Sequence, residues 1–328
     1  MSSDATSVSD TAWRAYLASM ESYLDQITLG DCLECLPHLA DDSIHCFVSD
    51  IPYGISADTW DVLHANTNSA LLGQSPAQQG KSAFKRRGKP IRGWSAADRD
   101  IPHEYQAWCG RWATAVYPKL KEGASLFVFG ARRTLQRAIV ALEDAGFLLR
   151  DILVWEKPSA HHRAQRLSGI LEKRGNPLQA EKWRGWRLGN LAPVWEPIAW
   201  FFKPYRHTIT DVVLQNEVGA LNIAESLVDG KSPSNILRFW FAPDEPRLHE
   251  MQKPVALLEF LIRLTTREGH IVLDLFMGSG STAIACLNLK RHFIGFEIDP
   301  HYVKLARERV MAHVATTSAT QPQLPLLP

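Results

Sequence analysis

The stretch Ser49-Asp50-Ile51-Pro52-Tyr53-Gly54 decides how this chain is read. The run before it, Ile44-His45-Cys46-Phe47-Val48, has the apolar, β-like pattern of a buried parallel strand. In open α/β sheets the carboxyl ends of such strands are where ligands bind. Pro52 fixes its own φ and biases Ile51 away from the helical region, so the loop is stiff. It holds one carboxylate (Asp50), one backbone carbonyl (Ile51) and one aromatic face (Tyr53) in fixed register. Those three groups suit a flat, stackable, hydrogen-bonding target such as a nucleobase. A strand that merely ends in a turn looks the same over six residues, so a second stretch has to decide.

That stretch is 271–282, Ile-Val-Leu-Asp-Leu-Phe-Met-Gly-Ser-Gly-Ser-Thr. A buried strand runs into a glycine turn and a helix start, where Gly278 and Gly280 allow close backbone approach and Ser281 or Thr282 is expected to cap the helix. A further strand ends at Glu297, placed to bind the two hydroxyls of a ribose. No Gly-Lys-Ser/Thr is present, so this is not a phosphate loop. Asp274 at its entrance suits a ligand that presents an amine, and the combination points to S-adenosylmethionine.

Composition sets the bounds. At 328 residues, with 45% hydrophobic and 22% charged residues, the chain reads as a globular protein with one large core or a core plus a small module. No apolar run reaches the roughly 18 residues that span a bilayer, and the amino terminus lacks the basic-then-apolar order of a signal peptide, so a cytoplasmic, membrane-free protein is expected. The five cysteines are scattered. Cys32 and Cys35 form a C-x-x-C without a second pair at zinc spacing, and both are read as buried reduced thiols; no metal is expected. Net charge is +1, yet Lys81, Lys85, Arg86, Arg87, Lys89 and Arg92 cluster without an acid, and residues 157–187 hold eight Lys or Arg against two acids. With Trp94, Trp183 and Trp186 interleaved, these stretches fit a nucleic-acid groove.

Alternating strands and helices predict a doubly wound, mostly parallel α/β sheet. Residues 1–26 read as an N-terminal helical extension and 27–203 as a catalytic half with a basic, irregular insertion at about 55–102. The pattern weakens over 204–250, residues 251–312 form a second half, and 313–328 read as a disordered tail. Helices are expected at about 103–121, 134–145, 254–266, 282–289 and 300–312, and strands at 125–129, 147–155, 198–202, 271–275 and 293–297.

Taken together these motifs resemble the amino-group DNA methyltransferases of bacteria and phages, in the permuted β-type order whose catalytic Asp-Pro-Pro-Tyr motif precedes the cofactor glycines. Gly30-Asp31 through Ile55 is similar to that family's opening. His249-Glu250-Met251-Gln252-Lys253-Pro254 resembles its pre-cofactor motif, and Asp274-x-Phe276-x-Gly278-Ser279-Gly280-Ser281-Thr282 with Glu297-Ile298-Asp299 resembles its cofactor motifs. The resemblance implies a Rossmann-like class I methyltransferase fold with a seven-stranded sheet. It implies that Asp274, Phe276, Gly278, Ser279, Gly280, Ser281 and Thr282 cradle S-adenosylmethionine and that Glu297 takes its ribose. Asp31 is expected near the adenine ring, and Lys253 and Pro254 near the methionine end. Asp50 and the Ile51 carbonyl would accept hydrogen bonds from the target amine while Tyr53 stacks on the base. The 204–250 segment and the basic insertion (Lys85, Arg86, Arg87, Lys89, Arg92) become candidates for DNA recognition.

One departure is Ile51, where the family carries its first proline; the position needs a backbone carbonyl, which isoleucine also supplies. Aspartate at 50 resembles the adenine-N6 branch. The expected activity is therefore methyl transfer to the N6 amine of an adenine flipped from duplex DNA, by a monomer or homodimer, with a cognate restriction enzyme as partner. Cytosine-N4 methylation and a catalytically silent DNA-binding relative stay open.

Overall fold

Apolar runs and amphipathic stretches fold into one sheet covered on both faces. A computed structural model describes residues 22–53, 96–158, 165–189, 191–248 and 251–320. The expected helix before residue 22, the basic cluster from Lys81 to Arg92, Trp94, His249, Glu250 and residues 321–328 lie outside the described residues.

The first half contains β1 (Gln26–Leu29), α1 (Cys32–Cys35), β2 (Ile44–Asp50), α2 (Ala96–Val116), β3 (Leu120–Phe129), α3 (Leu135–Asp144) and β4 (Leu148–Glu156). A small excursion follows: β5 (Gln165–Arg166), α4 (Leu167–Lys173), α5 (Pro177–Lys182) and β6 (Arg187–Leu188). Then come β7 (Trp195–Phe202), α6 (Ile209–Asn216), β8 (Ile236–Leu237), α7 (Val255–Thr265), β9 (Ile271–Asp274), α8 (Ser281–Asn288), β10 (His292–Glu297) and α9 (Pro300–Thr320).

The main sheet has the order β1-β10-β9-β2-β3-β7-β4-β8, with β7 antiparallel to both neighbours and the other pairings parallel. The two-residue β8 adds one short edge pairing to the seven strands expected. Residues alternate between the faces: Leu126 and Val128 of β3 join the core under α2 and α3, while Phe127 and Phe129 join the core under α7 and α8. The layers are therefore helix, sheet, helix.

Two features of this order place the site. From β9 the chain moves outward to β10, whereas from β2 it moves the other way to β3, so β9 and β2 flank a topological switch point, where a crevice opens at the carboxyl ends of the strands. The first and last strands also pair: Leu29 lies opposite Glu297, and the Gly30 N–H donates to the Glu297 carbonyl at 3.0 Å. Gly30 and Asp31 thereby sit beside residues more than 260 positions away.

Several boundaries differ from the expectation. α2 starts at residue 96, with Pro102 in its second turn, a position where a missing N–H normally marks a helix start rather than an interior. β7 begins at Trp195, three residues before the expected 198, and tolerates Pro197 because it pairs there with β4 alone, its pairing with β3 starting at Ile198. α9 runs to Thr320, well beyond 312, so residues 313–320 are helical and not a disordered tail. That polar turn has no apolar face to announce it; the hydroxyls of Thr316 and Thr317 donate to the carbonyls of Ala312 and His313. Residues 167–182, read as a basic loop, contain two short helices.

Candidate active site

The loop after β2 is held from several sides. The Ile51 N–H donates to the Phe129 carbonyl at 3.2 Å, continuing the ladder one residue past the strand. The Tyr105 hydroxyl donates to the Pro52 carbonyl at 2.6 Å and the Thr134 hydroxyl to the Tyr53 carbonyl at 2.8 Å. Neither donor reaches the Ile51 carbonyl, the group expected to meet a target amine. Ile51 is itself buried, so its side chain supplies packing where a proline would supply rigidity.

Asp50 and the glycine loop line one cavity of about 270 Å³, together with Asp31, Tyr53, Trp108, Lys253, Phe276 and Glu297. The two halves are bonded to one another. Buried Asp274 accepts from the Ser49 hydroxyl at 2.6 Å, the Phe276 N–H at 3.1 Å and the Thr282 hydroxyl at 2.6 Å. Burial pushes its carboxyl up to about 6, against the pull of those three donors. Asp274 therefore organises the loop and ties it to β2, in addition to lining the cavity.

The cap of α8 also differs from expectation. Gly280, in the left-handed region at φ 82°, is the N-cap, and neither Ser281 nor Thr282 caps with its side chain. Thr282 bonds Asp274, and Ser281 accepts from Arg309 Nη1 at 2.9 Å, a guanidinium that also donates to the Ser279 carbonyl. A Cβ on Gly280 would come within 3.1 Å of the Ala306 Cβ, so this turn needs glycine both for its dihedral and for its approach to α9. Glu297 accepts from the Gly278 N–H (2.8 Å) and the Asp299 N–H (2.9 Å), one on each oxygen. A carboxylate has about four acceptor positions, so both oxygens keep capacity for a pair of hydroxyls. Asp31 caps α1 by accepting from the Leu33 N–H at 2.9 Å. The residues present fit an adenosyl ligand: a glycine cradle, an acid with two fixed oxygens and a cavity that joins them to Asp50.

Lys253, expected near the methionine end of the cofactor, lines the same cavity and is held there by protein groups. Its Nζ forms an ion pair with Asp50 Oδ2, lies 3.4 Å from the Tyr53 hydroxyl and donates to the Met251 carbonyl at 2.9 Å. Pro254 beside it is the N-cap of α7. Behind Lys253 stands Glu196, 3.7 Å away, which is in turn bonded by Lys157. Charges thus alternate along a chain Asp50–Lys253–Glu196–Lys157. Burial raises the Glu196 carboxyl, but Lys253 and Lys157 outweigh it and hold the group below its ordinary value. Asp50 is pushed up by burial, with Lys253 opposing and Glu196 reinforcing. The Tyr53 hydroxyl is raised by burial and by the same two acids, so it stays a neutral phenol. Among the described residues, the buried Oδ1 of Asp50 has no hydrogen-bond partner. Lys253 holds Oδ2 and the Tyr53 hydroxyl also bonds the carboxyl group, so Oδ1 is the oxygen with acceptor capacity to spare.

Sequence reasoning missed Glu196, Lys157, Tyr105, Thr134 and Arg309. A lysine-proline pair at the end of β4 (Lys157-Pro158) and an acid at the start of β7 were the available signals, legible only once the two strands are known to be antiparallel neighbours. Cys32 and Cys35 are buried, and burial together with Asp31 pushes the Cys32 thiol up to about 12. Among the described residues no cluster of His, Cys, Asp or Glu has the makings of a metal site, and no helix is long and apolar enough to cross a membrane.

A family profile described as DNA methylase, of the N6/N4 type, matches residues 44–308. The chain belongs to the N6/N4 DNA methylase family. Over 295 residues the methylase is 46% identical to the Type II methyltransferase M.HindIII of Haemophilus influenzae, covering 88% of this chain and 95% of that protein. It is 30% identical over 174 residues to the Type II methyltransferase M.BglI of Bacillus subtilis, covering 52% and 41%. Two solved structures share the methylase's fold. PvuII DNA methyltransferase, cytosine-N4-specific, has a TM-score of 0.56 at 18% identity, covering 90% of this chain and 93% of that one. The M1.HpyAVI–SAM complex has a TM-score of 0.52 at 20% identity, covering 87% and 98%. The fold of the methylase is the class I methyltransferase fold expected from its motifs.

Proposed function

We propose that this methylase transfers the methyl group of S-adenosylmethionine to the N6 amine of an adenine extruded from duplex DNA. Family membership supplies DNA methylation and its methyl donor; the choice of adenine is our reading. Transfer to an amine is carried by the buried Oδ1 of Asp50, unpartnered among the described residues, in the cavity that also holds the glycine loop and Glu297; adenine rather than cytosine is favoured by aspartate at position 50.

When bound, S-adenosylmethionine supplies an electrophilic methyl group on a sulfonium. The protein's part is to position and polarise the amine. An exocyclic amine has its lone pair delocalised into the ring and is a poor nucleophile. A hydrogen bond from that amine to Asp50 Oδ1, with the Ile51 carbonyl accepting the second, shifts electron density onto nitrogen as the new bond forms. Burial, which raises Asp50, also makes Oδ1 a better proton acceptor as positive charge develops on the amine. Lys253 on Oδ2 fixes the carboxylate's orientation, and Tyr53, its carbonyl pinned by Thr134, offers a ring in the same cavity. Fixed geometry of this kind is the main contribution to an in-line transfer.

The same reading assigns Glu297 to the ribose, the glycine loop to the rest of the cofactor, and residues 204–250 with Lys85, Arg86, Arg87, Lys89 and Arg92 to DNA recognition. The protein would work in the bacterial or phage-infected cytoplasm as the modification partner of a restriction enzyme. Expression in a host without adenine methylation, followed by mass spectrometry of its DNA nucleosides, tests the proposal. N6-methyladenine is the expected product; N4-methylcytosine would overturn the choice of base.

A further inference from the structure

Between β4 and β7 the chain builds a separate piece. β5 and β6 pair antiparallel, the Leu167 N–H donates to the Trp186 carbonyl at 3.0 Å, and α4 packs against α5. Of residues 165–189 Ala180 alone is buried, while Leu178 and Trp186 are 85% and 62% exposed. A piece this small has no core of its own to account for its surface. That surface is basic: Arg166, Lys173, Arg174, Lys182, Arg184 and Arg187 are exposed, against Glu172 and Glu181. Arg184 pairs with Glu181; among the described residues the other five cations meet no carboxylate within ion-pair distance.

Its root is the catalytic ion chain. The Lys157 N–H donates to the Val194 carbonyl at 2.8 Å, extending the β4–β7 ladder to the base of the piece. The Lys157 side chain bonds Glu196, which reaches Asp50 through Lys253. A second aromatic and basic segment is fixed at the same strand end, where the Trp155 indole donates to the Phe239 carbonyl and Arg238 pairs with Glu156. The piece thus springs from the carboxyl edge of the sheet, the edge at which Asp50 also lies.

We propose that residues 165–189 form an arm that grips the phosphate backbone of the duplex next to the extruded base. This rests on the reading of the chain as a DNA methyltransferase and is independent of which base it modifies. Five unpaired cations on a surface with no core beneath match a polyanion, and Trp186 adds a face that packs on sugar or an unstacked base.

The test is fluorescence anisotropy of a labelled duplex with the full-length protein across a salt series. It compares the wild type with the triple variant Lys173→Ala, Arg174→Ala, Arg187→Ala. Each phosphate contact removed takes roughly 0.9 from the slope of log affinity against log salt. The variant is therefore expected to lose about 2 to 3 from the slope and to bind at least roughly 10-fold more weakly at moderate salt. S-adenosylmethionine affinity, read by calorimetry, should not change. An unchanged slope overturns the proposal, as does a variant whose altered property is self-association in sedimentation, since the surface then faces a second copy. A single Arg174→Cys protein carrying a photocrosslinker decides the matter without the triple variant: crosslinks to DNA support the arm, and crosslinks to protein alone refute it. A wild type that neither binds duplex nor transfers methyl groups would instead count against the DNA methyltransferase reading.

Discussion

Replacing Ser49 by alanine isolates the bond that joins the two halves of the site. The Ser49 hydroxyl, buried, donates to Asp274 Oδ1 at 2.6 Å, and no other side chain of β2 is bonded to the glycine loop among the described residues. Hydrogen bonds to charged groups contribute about 1.5–3 kcal/mol, so the ionised Asp274 should lose roughly 2 kcal/mol. The sign with pH follows from its titration. The Asp274 carboxyl rises from 3.8 unfolded to about 6 folded. The folded state therefore favours the protonated form. That stability is fully present below about pH 4 and is lost as pH rises through about 6, at a cost near 3 kcal/mol on the alkaline side. The Ser49 hydroxyl offsets part of that cost, and only while Asp274 is ionised. The Ser49→Ala variant should thus be destabilised by about 2 kcal/mol at pH 8 and by about 1 kcal/mol or less at pH 5, where a neutral pair is lost. Urea denaturation at the two pH values measures both. An equal or larger loss at pH 5 would refute the assignment of Ser49 as a donor to an ionised Asp274.

Other outcomes follow from the same geometry. Lys253→Met removes the cation shared by Asp50 and Glu196; it should cost about 3–5 kcal/mol near neutral pH, measured by denaturation, and abolish methyl transfer. Gly280→Ala forces a left-handed φ of 82° on a residue with a Cβ, at about 1–2 kcal/mol plus the clash with Ala306, and a fall of several degrees in Tm is expected. Glu297→Gln turns an amide toward backbone N–H groups at one of two oxygens; S-adenosylmethionine should bind roughly 10-fold more weakly by calorimetry, as expected for about 1.4 kcal/mol.

The parts of the site visible in the sequence were those carried by contiguous motifs at strand ends. Asp50, Tyr53, the glycine loop and Glu297 each follow an apolar run, and strand-to-loop transitions of that kind have a strong local signal. Glu196 and Lys157 had no such signal. Their role exists because β7 runs antiparallel between β3 and β4, which brings a residue just past β4 and one at the start of β7 together behind Lys253. Arg309, on the last helix, reaches back to the Ser279 carbonyl, a contact that no spacing in α9 announces. Lys253 was found by motif, but its pairing with Asp50 was not, because that partner lies 203 residues away on β2 and not among the residues beside it.

The claim that the loop after β2 delivers an amine to the methyl donor is tested most directly by product and variant together. Wild type and Asp50→Ala would be incubated with duplex DNA and methyl-labelled S-adenosylmethionine, and the digested nucleosides separated. The account predicts label on the N6 of adenine with the wild type and none with Asp50→Ala, while both bind S-adenosylmethionine alike. Label on cytosine, or equal labelling by the variant, would contradict it.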